Sequence, residues 1–307
     1  MIDLKQIGVL AHPLRPKSFP IARRIAQAIH KRGIETWVYT EWVEDDIVAD
    51  VNNADIVVAI GGDGAMLRAA RVCARAEVPV LGINMGQLGF LTEVTNPEKW
   101  EEKLDLVLED KYWIEQRAML TAIATRDGTI LGSAEALNDI VISGDTVGRM
   151  VQLETFIDED WTTTYRADAL VIASATGSTA YALACGGPIL PPELINILIV
   201  PAAPHLSMSR PIVLADGSIV DVVISGKTRG TIVFSADGAE VCELQGLDQI
   251  RVQVSDLVSR FVRLRGRNYF YRSILDRLEP RVQRTKPEER IQSLAGQRLQ
   301  KRSSATD

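Results

Sequence analysis

The sequence predicts an α/β domain followed by a mostly-β domain, and three observations lead to this prediction. In the first 111 residues, short apolar strands alternate with helical segments, a pattern typical of a parallel sheet flanked by helices. From residue 112 onward, short strands dominate and are separated by turn residues such as Asp127-Gly128 and Asp237-Gly238. With 307 residues, the chain is long for one compact domain and comfortable for two.

The first domain, residues 1–111, divides into strands and helices in a regular order. Strands are expected at residues 7–10, 36–39, 56–60 and 78–83. Helices are expected at residues 20–32, 65–76 and 97–109, with Ser18 as a cap of the first and Gly33 at its end. Ligands of such sheets bind at the carboxyl ends of the strands, where the loops 61–64 and 84–90 are expected to lie.

The second domain, residues 112–270, is expected to consist mainly of strands. They are placed at residues 119–125, from 129 onward, and at 151–157, 161–165 and 169–173, with one short helix near 179–185. A helix at 271–278 is expected to return and pack on the first domain. Residues 279–307 are charged and polar without a strong apolar face, so we expect this tail to be disordered or loosely helical.

Composition excludes several classes of protein. The net charge of −6 disfavours non-specific binding of nucleic acid. The longest apolar run, residues 194–203, is too short to cross a bilayer, and the first residues lack the pattern of a secretion signal. The three cysteines (Cys73, Cys185 and Cys242) are widely spaced, as in reduced cytosolic proteins without a metal site. We therefore expect a cytoplasmic protein without membrane or nucleic-acid partners.

The turn Gly61-Gly62-Asp63-Gly64 lies between the expected strand 56–60 and the following helix. Glycines let a backbone approach a phosphate closely, and a helix N-terminus attracts anions. Asp63 would repel a phosphate unless it holds a cation or accepts a proton, which is the requirement of a phosphoryl-transfer site. The sequence offers the Asp63 carboxylate no evident structural partner. The alternative is a tight turn capped by an aspartate, which is common in α/β proteins.

A second segment rich in hydroxyl groups follows the expected buried strand 169–173. The hydroxyls of Thr176, Ser178 and Thr179 can bind a ligand or cap the next helix. Tyr181 can stack on a base or fill the core. Gly186-Gly187-Pro188 permits another close approach of the backbone to a ligand.

Asn138-Asp139 interrupts an apolar strand. Burying such a pair without partners costs roughly 1–3 kcal/mol, so partners are expected. The pair can bind the hydroxyls of a sugar, as an aspartate does with ribose in dinucleotide-binding folds. It can also mark a bulge or turn whose polar groups are satisfied by backbone.

Taken together, these motifs resemble those of the NAD kinase family, and the resemblance covers nearly all of residues 5–278. They are, in order, Gly61 to Gly64, Asn84-Met85-Gly86 with Leu88 to Leu91, Ala136 to Asp139, Arg166 to Asp168, Thr176 to Tyr181 with Gly186 to Pro188, and Pro204-His205 before Arg210-Pro211. The glycine turn is shared with diacylglycerol, sphingosine and phosphofructokinase-type kinases. The segment Thr176 to Tyr181 is more particular to NAD kinases.

The resemblance implies a fold, a reaction and an assembly. The first domain would be Rossmann-like, as in phosphofructokinases, and the second β-sandwich-like, with an NAD site between them. The reaction would transfer the terminal phosphate of ATP to the 2′-hydroxyl of the adenosine ribose of NAD, giving NADP. ATP and a divalent metal, usually Mg²⁺, would be required, and the protein would be a homodimer or homotetramer.

The resemblance also implies roles for individual residues. Asp63 matches the catalytic base near the adenosine 2′-hydroxyl. Gly61, Gly62 and Gly64 match the phosphate-binding loop. The implied NAD contacts are Gly64, Phe90, Asn138, Asp139, Arg166, Asp168, Thr179, Ala180 and Tyr181. Arg166 resembles an arginine that accompanies a preference for NAD over NADH, and metal ligands are not identified.

The chain departs from the family pattern at five positions, none of which removes the proposed base. Ala65 replaces the usual Thr after the glycine turn, and Asp139 replaces the commoner Glu. Ala169, Ala175 and Ala184 replace Gly, Pro and Ser. Two other functions remain alternatives: a non-catalytic NAD(P) sensor, opposed by the intact Asp63, and a lipid kinase, opposed by the acidic balance. The choice between ATP and polyphosphate as donor stays open.

Overall fold

The computed structural model describes residues 4–278, except 42, 86–88, 96, 147–148 and 229. The strands are β1 Gln6–Leu10, β2 Glu35–Tyr39, β3 Ile56–Ile60, β4 Val80–Ile83, β5 Trp113–Arg126, β6 Thr129–Ala136, β7 Asp139–Gly144, β8 Val151–Ile157, β9 Asp160–Ala167, β10 Ala169–Ala173, β11 Ile197–Ala202, β12 Ile212–Leu214, β13 Val220–Ile224, β14 Ile232–Ala236, β15 Ala239–Leu244 and β16 Gln249–Arg263. The helices are α1 Ser18–His30, α2 Glu44–Val51, α3 Asp63–Arg75, α4 Trp100–Leu108, α5 Tyr181–Ala184 and α6 Tyr269–Leu278.

The strands form two sheets. The larger has ten strands in the order β2-β1-β3-β4-β16-β13-β8-β9, and β5 and β6 extend it from β16. Strands β1 to β4 are parallel to one another, and β16 joins them in parallel where Phe261 pairs with Val80. The smaller sheet has six antiparallel strands in the order β12-β11-β10-β7-β14-β15.

Helices cover both faces of the parallel strands, as the alternating pattern predicts. Successive side chains of β3 point to opposite faces. Ile56, Val58 and Ile60 pack with apolar residues of α1 and α4. Val57 and Ala59 pack with residues of α2 and α3 on the other face. The α/β architecture of the first half is therefore confirmed.

The two sheets face each other in the second half of the chain and share one core. Leu120, Leu153 and Ile250 come from the larger sheet, and Ile172 and Phe234 come from the smaller one. This arrangement is a β-sandwich, so the predicted mostly-β second half is also confirmed. Among the described helices, none is long and apolar enough to cross a membrane.

Most of the predicted elements form, with changes at their ends. The strands at 56–60, 151–157 and 169–173 have the predicted bounds. Helix α2 was not predicted, because its eight residues make only about two turns, with buried Ile47 and Val51 spaced four apart. The single helix expected near 179–185 is instead a 3₁₀ turn, Gly177–Thr179, followed by α5.

The end of the chain leaves two predictions open. Residues up to Gly266 form one compact unit, and α6 belongs to a second unit that begins at Arg267. Helix α6 starts at Tyr269 rather than at residue 271, and its packing on the first domain stays a prediction. The predicted disorder of residues 279–307 falls on positions outside the described residues.

Candidate active site

The glycine turn connects β3 to α3, and its glycines serve different purposes. A Cβ atom on Gly61 would lie 2.5 Å from the Cβ of Ala65, so packing excludes a side chain there. A Cβ on Gly62 or Gly64 would meet no atom within 4 Å. These two glycines leave open space beside the N-terminus of α3, where backbone N–H groups favour an anion.

The Asp63 carboxylate is held by the loop that follows β4. Its Oδ2 accepts a hydrogen bond from the Phe90 N–H (2.8 Å), and its Oδ1 accepts one from the Leu91 N–H (3.0 Å). The expectation that Asp63 has no structural partner is therefore wrong. A Cβ on Gly89 would lie 2.1 Å from Oδ1, so the loop needs glycine at that position. Sequence could not reveal this pairing, because the partners are backbone amides 27 and 28 residues away.

Basic side chains lie beside the same turn, and sequence reasoning missed them. Strand β1 pairs with β3, so His12, which follows β1, lies next to the glycine turn that follows β3. The Cδ2 atom of His12 is 3.2 Å from the position that a Cβ on Gly61 would take. The Leu14 N–H donates to Nδ1 of His12 (3.1 Å), so the neutral ring carries its proton on Nε2. Burial, and then the positive charges of Arg15 and Arg68, lower the pKa of His12.

An open cleft of about 370 Å³ brings together residues from both halves of the chain. Its lining residues are Leu67, Asn138, Asp139, Val141, Ala180, Tyr181, Ser235, Asp237 and Gly238. Four of the predicted NAD contacts therefore meet in this cleft. Leu67 lies one helical turn after Asp63 on the same face of α3. Along the helix axis, Asp63 is therefore about 6 Å from Leu67, the residue of α3 that lines the cleft. A neighbouring cavity of about 260 Å³, lined by Arg71 and Arg75, contains none of the predicted site residues.

The Asn138-Asp139 pair occupies a turn rather than the interior of one strand. Asn138 lies between β6 and β7, and Asp139 begins β7. The Asp237 carboxylate accepts hydrogen bonds from the backbone N–H groups of Leu137 (2.9 Å), Asn138 (2.7 Å) and Asp139 (3.3 Å). Sequence reasoning had identified Asp237 only as a turn residue. The turn is thus satisfied by the side chain of Asp237, which lies between β14 and β15, while both residues of the pair line the cleft.

Two carboxylates share this end of the cleft, and their charges interact. Burial, and then the nearby charge of Asp237, raise the pKa of Asp139 to about 7. Asp237 itself lies 3.9 Å from Nη1 of Arg71, measured from its Oδ2. Asp139 consequently changes its protonation near neutral pH, and with it the hydrogen bonds that it can offer a ligand.

The hydroxyl-rich segment folds into a tight turn in which the hydroxyls bond the backbone. The Ser178 hydroxyl donates to the Ala175 carbonyl (2.6 Å), and the Thr179 hydroxyl donates to the Thr176 carbonyl (3.2 Å). A Cβ on Gly177 would lie 2.0 Å from the Asn138 carbonyl oxygen. The turn therefore packs directly on the 137–139 turn. In the sequence, Thr176 follows Asn138 by 38 residues.

Five predicted NAD contacts do not belong to the lining of the cleft: Gly64, Phe90, Arg166, Asp168 and Thr179. The Arg166 backbone is fixed, because its carbonyl accepts a hydrogen bond from the His205 N–H (2.7 Å). Burial is the main cause that raises the pKa of Tyr181. Its neighbour Cys185 contributes next, followed by the charges of Asp168 and Asp139. Asp168 thus lies within electrostatic range of a residue that lines the cleft.

Two family models match the chain in order. The description "ATP-NAD kinase N-terminal domain" matches residues 7–112, and "ATP-NAD kinase C-terminal domain" matches residues 137–264. Among solved structures, yeast NADH kinase complexed with NADH has a TM-score of 0.80 at 23% identity, covering 92% of this chain and 89% of that one. An NAD kinase from Archaeoglobus fulgidus in complex with ATP has a TM-score of 0.70 at 24% identity, covering 87% and 96%. At these identities the two structures support the fold.

Curated relatives extend the similarity to the sequence. The NAD kinase of Chloroflexus aggregans is 37% identical over 278 residues, which cover 90% of this chain and 99% of the relative. The NAD kinase of Dehalococcoides mccartyi (strain ATCC BAA-2100) is 34% identical over 276 residues, covering 90% and 96%. Since both domain models match in order and these relatives align over nearly their whole length, the chain belongs to the ATP-NAD kinase family, whose members are phosphotransferases acting on NAD.

Proposed function

We propose that Asp63 is the base of this NAD kinase. The reaction transfers the terminal phosphate of ATP to the 2′-hydroxyl of the adenosine ribose of NAD, and that hydroxyl must lose a proton. Each Asp63 oxygen gives one lone pair to a backbone amide and keeps another for the hydroxyl. The observation that carries this assignment is a carboxylate fixed at the open N-terminus of α3, one turn from the cleft.

The donor phosphates are assigned to the glycine turn. Gly61, Gly62 and Gly64 would form the phosphate-binding loop, supported by the open space at Gly62 and Gly64. Arg15 and Arg68 would supply positive charge for the triphosphate, because charge neutralisation is the main requirement of phosphoryl transfer. The Nε2–H of the neutral His12 ring would donate a hydrogen bond to it. The buried Ala65 provides no hydroxyl for this purpose.

The adenosine part of NAD is assigned to the cleft. Asn138 and Asp139 would bind it by hydrogen bonds, and Ala180 and Tyr181 would form the opposite wall. Gly64 and Phe90 would close the side nearest Asp63. Arg166, Asp168 and Thr179 would complete the contacts from the rim, and Arg166 would favour NAD over NADH.

A divalent metal, Mg²⁺, is proposed to accompany the ATP phosphates. Among the described residues, no group of three or more His, Cys, Asp or Glu side chains could hold a metal ion. Mg²⁺ is usually bound through substrate phosphates with one or two carboxylates. The proposed ion would therefore arrive bound to ATP. When bound, the ion would neutralise phosphate charge during transfer.

A cytoplasmic location and a homodimeric or homotetrameric assembly are also proposed. The location is supported by the three cysteines, all of which are free thiols. The assembly would form through the β-sandwich, and some NAD contacts would come across the subunit interface. Light scattering of the purified protein would give the number of subunits, and a monomer at every concentration would contradict the assembly.

The decisive experiment measures NADP formation by the purified full-length protein. NAD is supplied with ATP, other nucleoside triphosphates or polyphosphate, each with and without Mg²⁺. We expect NADP with ATP and Mg²⁺. NAD binding without NADP from any donor would favour the sensor, and phosphorylation of a lipid alcohol instead of NAD would favour the lipid kinase; the family match favours neither.

A further inference from the structure

A cluster of buried charges lies beneath the candidate active site and is not explained by the assignments above. Glu115 and Arg117 of β5 and Arg263 of β16 have side chains that are at most 3% exposed. The Glu115 Oε2 accepts hydrogen bonds from Nε of Arg117 (2.9 Å) and Nε of Arg263 (2.8 Å). Glu93, whose side chain is 1% exposed, lies 3.5 Å from Nη1 of Arg263. Burying four charges is costly and is weak evidence for a role in stability alone.

Arg263 reaches the loop that holds Asp63. Its Nη1 donates a hydrogen bond to the Leu91 carbonyl (2.9 Å). The N–H of the same residue, Leu91, donates to Oδ1 of Asp63 (3.0 Å). Leu91 is therefore fixed on one side by the proposed base and on the other by a buried guanidinium.

Arg117 reaches the other half of the site. Its Nη1 donates to the Thr176 hydroxyl (3.3 Å), and the Thr176 carbonyl accepts the Thr179 hydroxyl. The turn that begins at Thr176 packs on Asn138 through Gly177. Arg117 thus contacts the turn that supports the proposed adenosine contacts, whereas Arg263 contacts the loop that supports the proposed base.

The two guanidinium groups are also restrained by one aromatic ring. The Cζ atoms of Arg117 and Arg263 lie 5.6 Å and 5.1 Å from the ring centroid of Phe261. Phe261 is the residue of β16 that pairs with β4. The shared carboxylate and the shared ring make the two arginines one unit where the parallel and antiparallel parts of the larger sheet meet.

We infer that Arg263 and Arg117 are positioning residues that join the Asp63 loop to the NAD-binding turn through Glu115. Arg263 keeps Leu91, and with it the Asp63 carboxylate, in the orientation needed for transfer. Arg117 keeps the 176–179 turn in the position needed for NAD. This inference rests on the proposed function, because it takes Asp63 as the base and the cleft as the NAD site.

The test compares lysine substitutions at three arginines. Lysine keeps the charge but cannot donate in two directions as a guanidinium does. Arg126→Lys is the control: Arg126 is also on β5 and makes a two-bond pair with Asp248 (both 2.8 Å), but it lies at the far end of the strand, nine residues from Arg117. Each variant is measured for kcat, for KM of NAD and of ATP, and for its thermal midpoint.

The two positioning roles predict different kinetic changes. Arg263→Lys should lower kcat by about tenfold or more with each KM within about twofold, because a misplaced base affects the chemical step. Arg117→Lys should raise the KM for NAD by about tenfold and leave the KM for ATP nearly unchanged. Arg126→Lys should match wild type in all three constants.

A purely structural cluster predicts another result. Arg263→Lys and Arg117→Lys would then lower only the thermal midpoint and match Arg126→Lys in kcat and KM, which would overturn the inference. If Arg263→Lys does not fold, Arg263→Met replaces it, because Glu115 keeps its pair with Arg117 and Glu93 keeps its pair with Arg265. This variant should fold with low kcat, and wild-type kcat in it would also overturn the inference. NADP formation by the wild-type protein is measured first. A wild-type protein that forms no NADP would contradict the proposed function, whereas the variants test only the positioning roles.

Discussion

At the scale of single residues, Asp63 shows how a common structural feature can acquire chemistry. Asp55, at the other end of β3, also binds two backbone amides: its Oδ2 accepts from the N–H groups of Lys5 (2.6 Å) and Gln6 (2.9 Å). A carboxylate held by two amides is therefore not catalytic by itself. Asp63 differs because open space, a helix N-terminus and basic side chains lie next to it.

The first prediction uses this pair. Asp63→Asn should lower kcat by about 10²–10⁴-fold, because the amide cannot accept the hydroxyl proton. It should also cost about 1 kcal/mol of stability, since Asn has one acceptor oxygen for two backbone N–H groups. Asp55→Asn can keep both hydrogen bonds, because a single oxygen of Asp55 accepts them, and it should keep wild-type kcat. An Asp63→Asn variant with more than about a tenth of the wild-type kcat would contradict the base assignment.

The second prediction concerns the buried carboxyl of Asp139. Its pKa is raised from 3.8 to about 7 in the folded protein, so the folded state binds this proton more tightly than the unfolded chain. The free energy of unfolding therefore falls as pH rises from about 4 through about 7. Asp139→Asn has no carboxyl to titrate at this position, so this fall in the free energy of unfolding should disappear in the variant.

Thermal unfolding at pH 5 and pH 8 provides the measurement. The midpoint of Asp139→Asn minus that of wild type should be higher at pH 8 than at pH 5 by a few degrees. The exposed Asp256 of β16 supplies the control, because Asp256→Asn should show no such difference. Equal midpoint differences at both pH values would mean that Asp139 does not titrate in this range.

At the scale of elements, two turns distant in sequence form one binding surface. The turn 137–139 is held by the Asp237 carboxylate, and the turn 177–179 packs on it at Gly177. The contact between the turns involves backbone on both sides, so neither can adjust without moving the other.

The third prediction tests this contact. Gly177→Ala would place a Cβ 2.0 Å from the Asn138 carbonyl oxygen, which forces the turns apart. The KM for NAD should rise by about tenfold or more, while the KM for ATP changes little. At Gly226 a Cβ would have its nearest neighbour at 3.6 Å, so Gly226→Ala should match wild type. A Gly177→Ala variant with an unchanged KM for NAD would place the adenosine site elsewhere.

The elements also show what sequence can and cannot predict here. Strands such as β3 and β10 are predictable because each is a run of five apolar residues, a length typical of a buried strand and too short for most helices. The glycine turn and the Asn138-Asp139 pair stand out because their composition contradicts their apolar surroundings. Asp237 and Leu91 could not be predicted, because their role depends on hydrogen bonds to backbone amides, which any residue type provides.

At the scale of the whole molecule, β16 belongs to both halves of the fold. Its first residues pair with β5 and β13 of the sandwich. Near its end, Phe261 packs with residues of α3, and Val262 packs with residues of α1 and α4. The parallel strands of the first half therefore receive a neighbouring strand beside β4, and part of both cores, from β16.

The fourth prediction follows from this shared strand. A fragment of residues 1–111 contains all the parallel strands but lacks β16, so the edge of β4 and the sites of Phe261 and Val262 would be open to solvent. An exposed edge and an incomplete core favour aggregation over folding. The fragment alone should show no cooperative thermal transition, whereas a chain of residues 1–278 should unfold in one.

Co-expression of residues 1–111 with residues 112–307 provides the complement. We expect the two fragments to co-purify and to form NADP, because β16 can pair with β4 across the break. Residues 1–111 alone that are monomeric, with a cooperative transition and a native-like circular dichroism spectrum, would show that the parallel half folds independently. In that case β16 would serve to attach the halves rather than to complete the first, and the buried charges next to Phe261 would act across an interface between two stable domains.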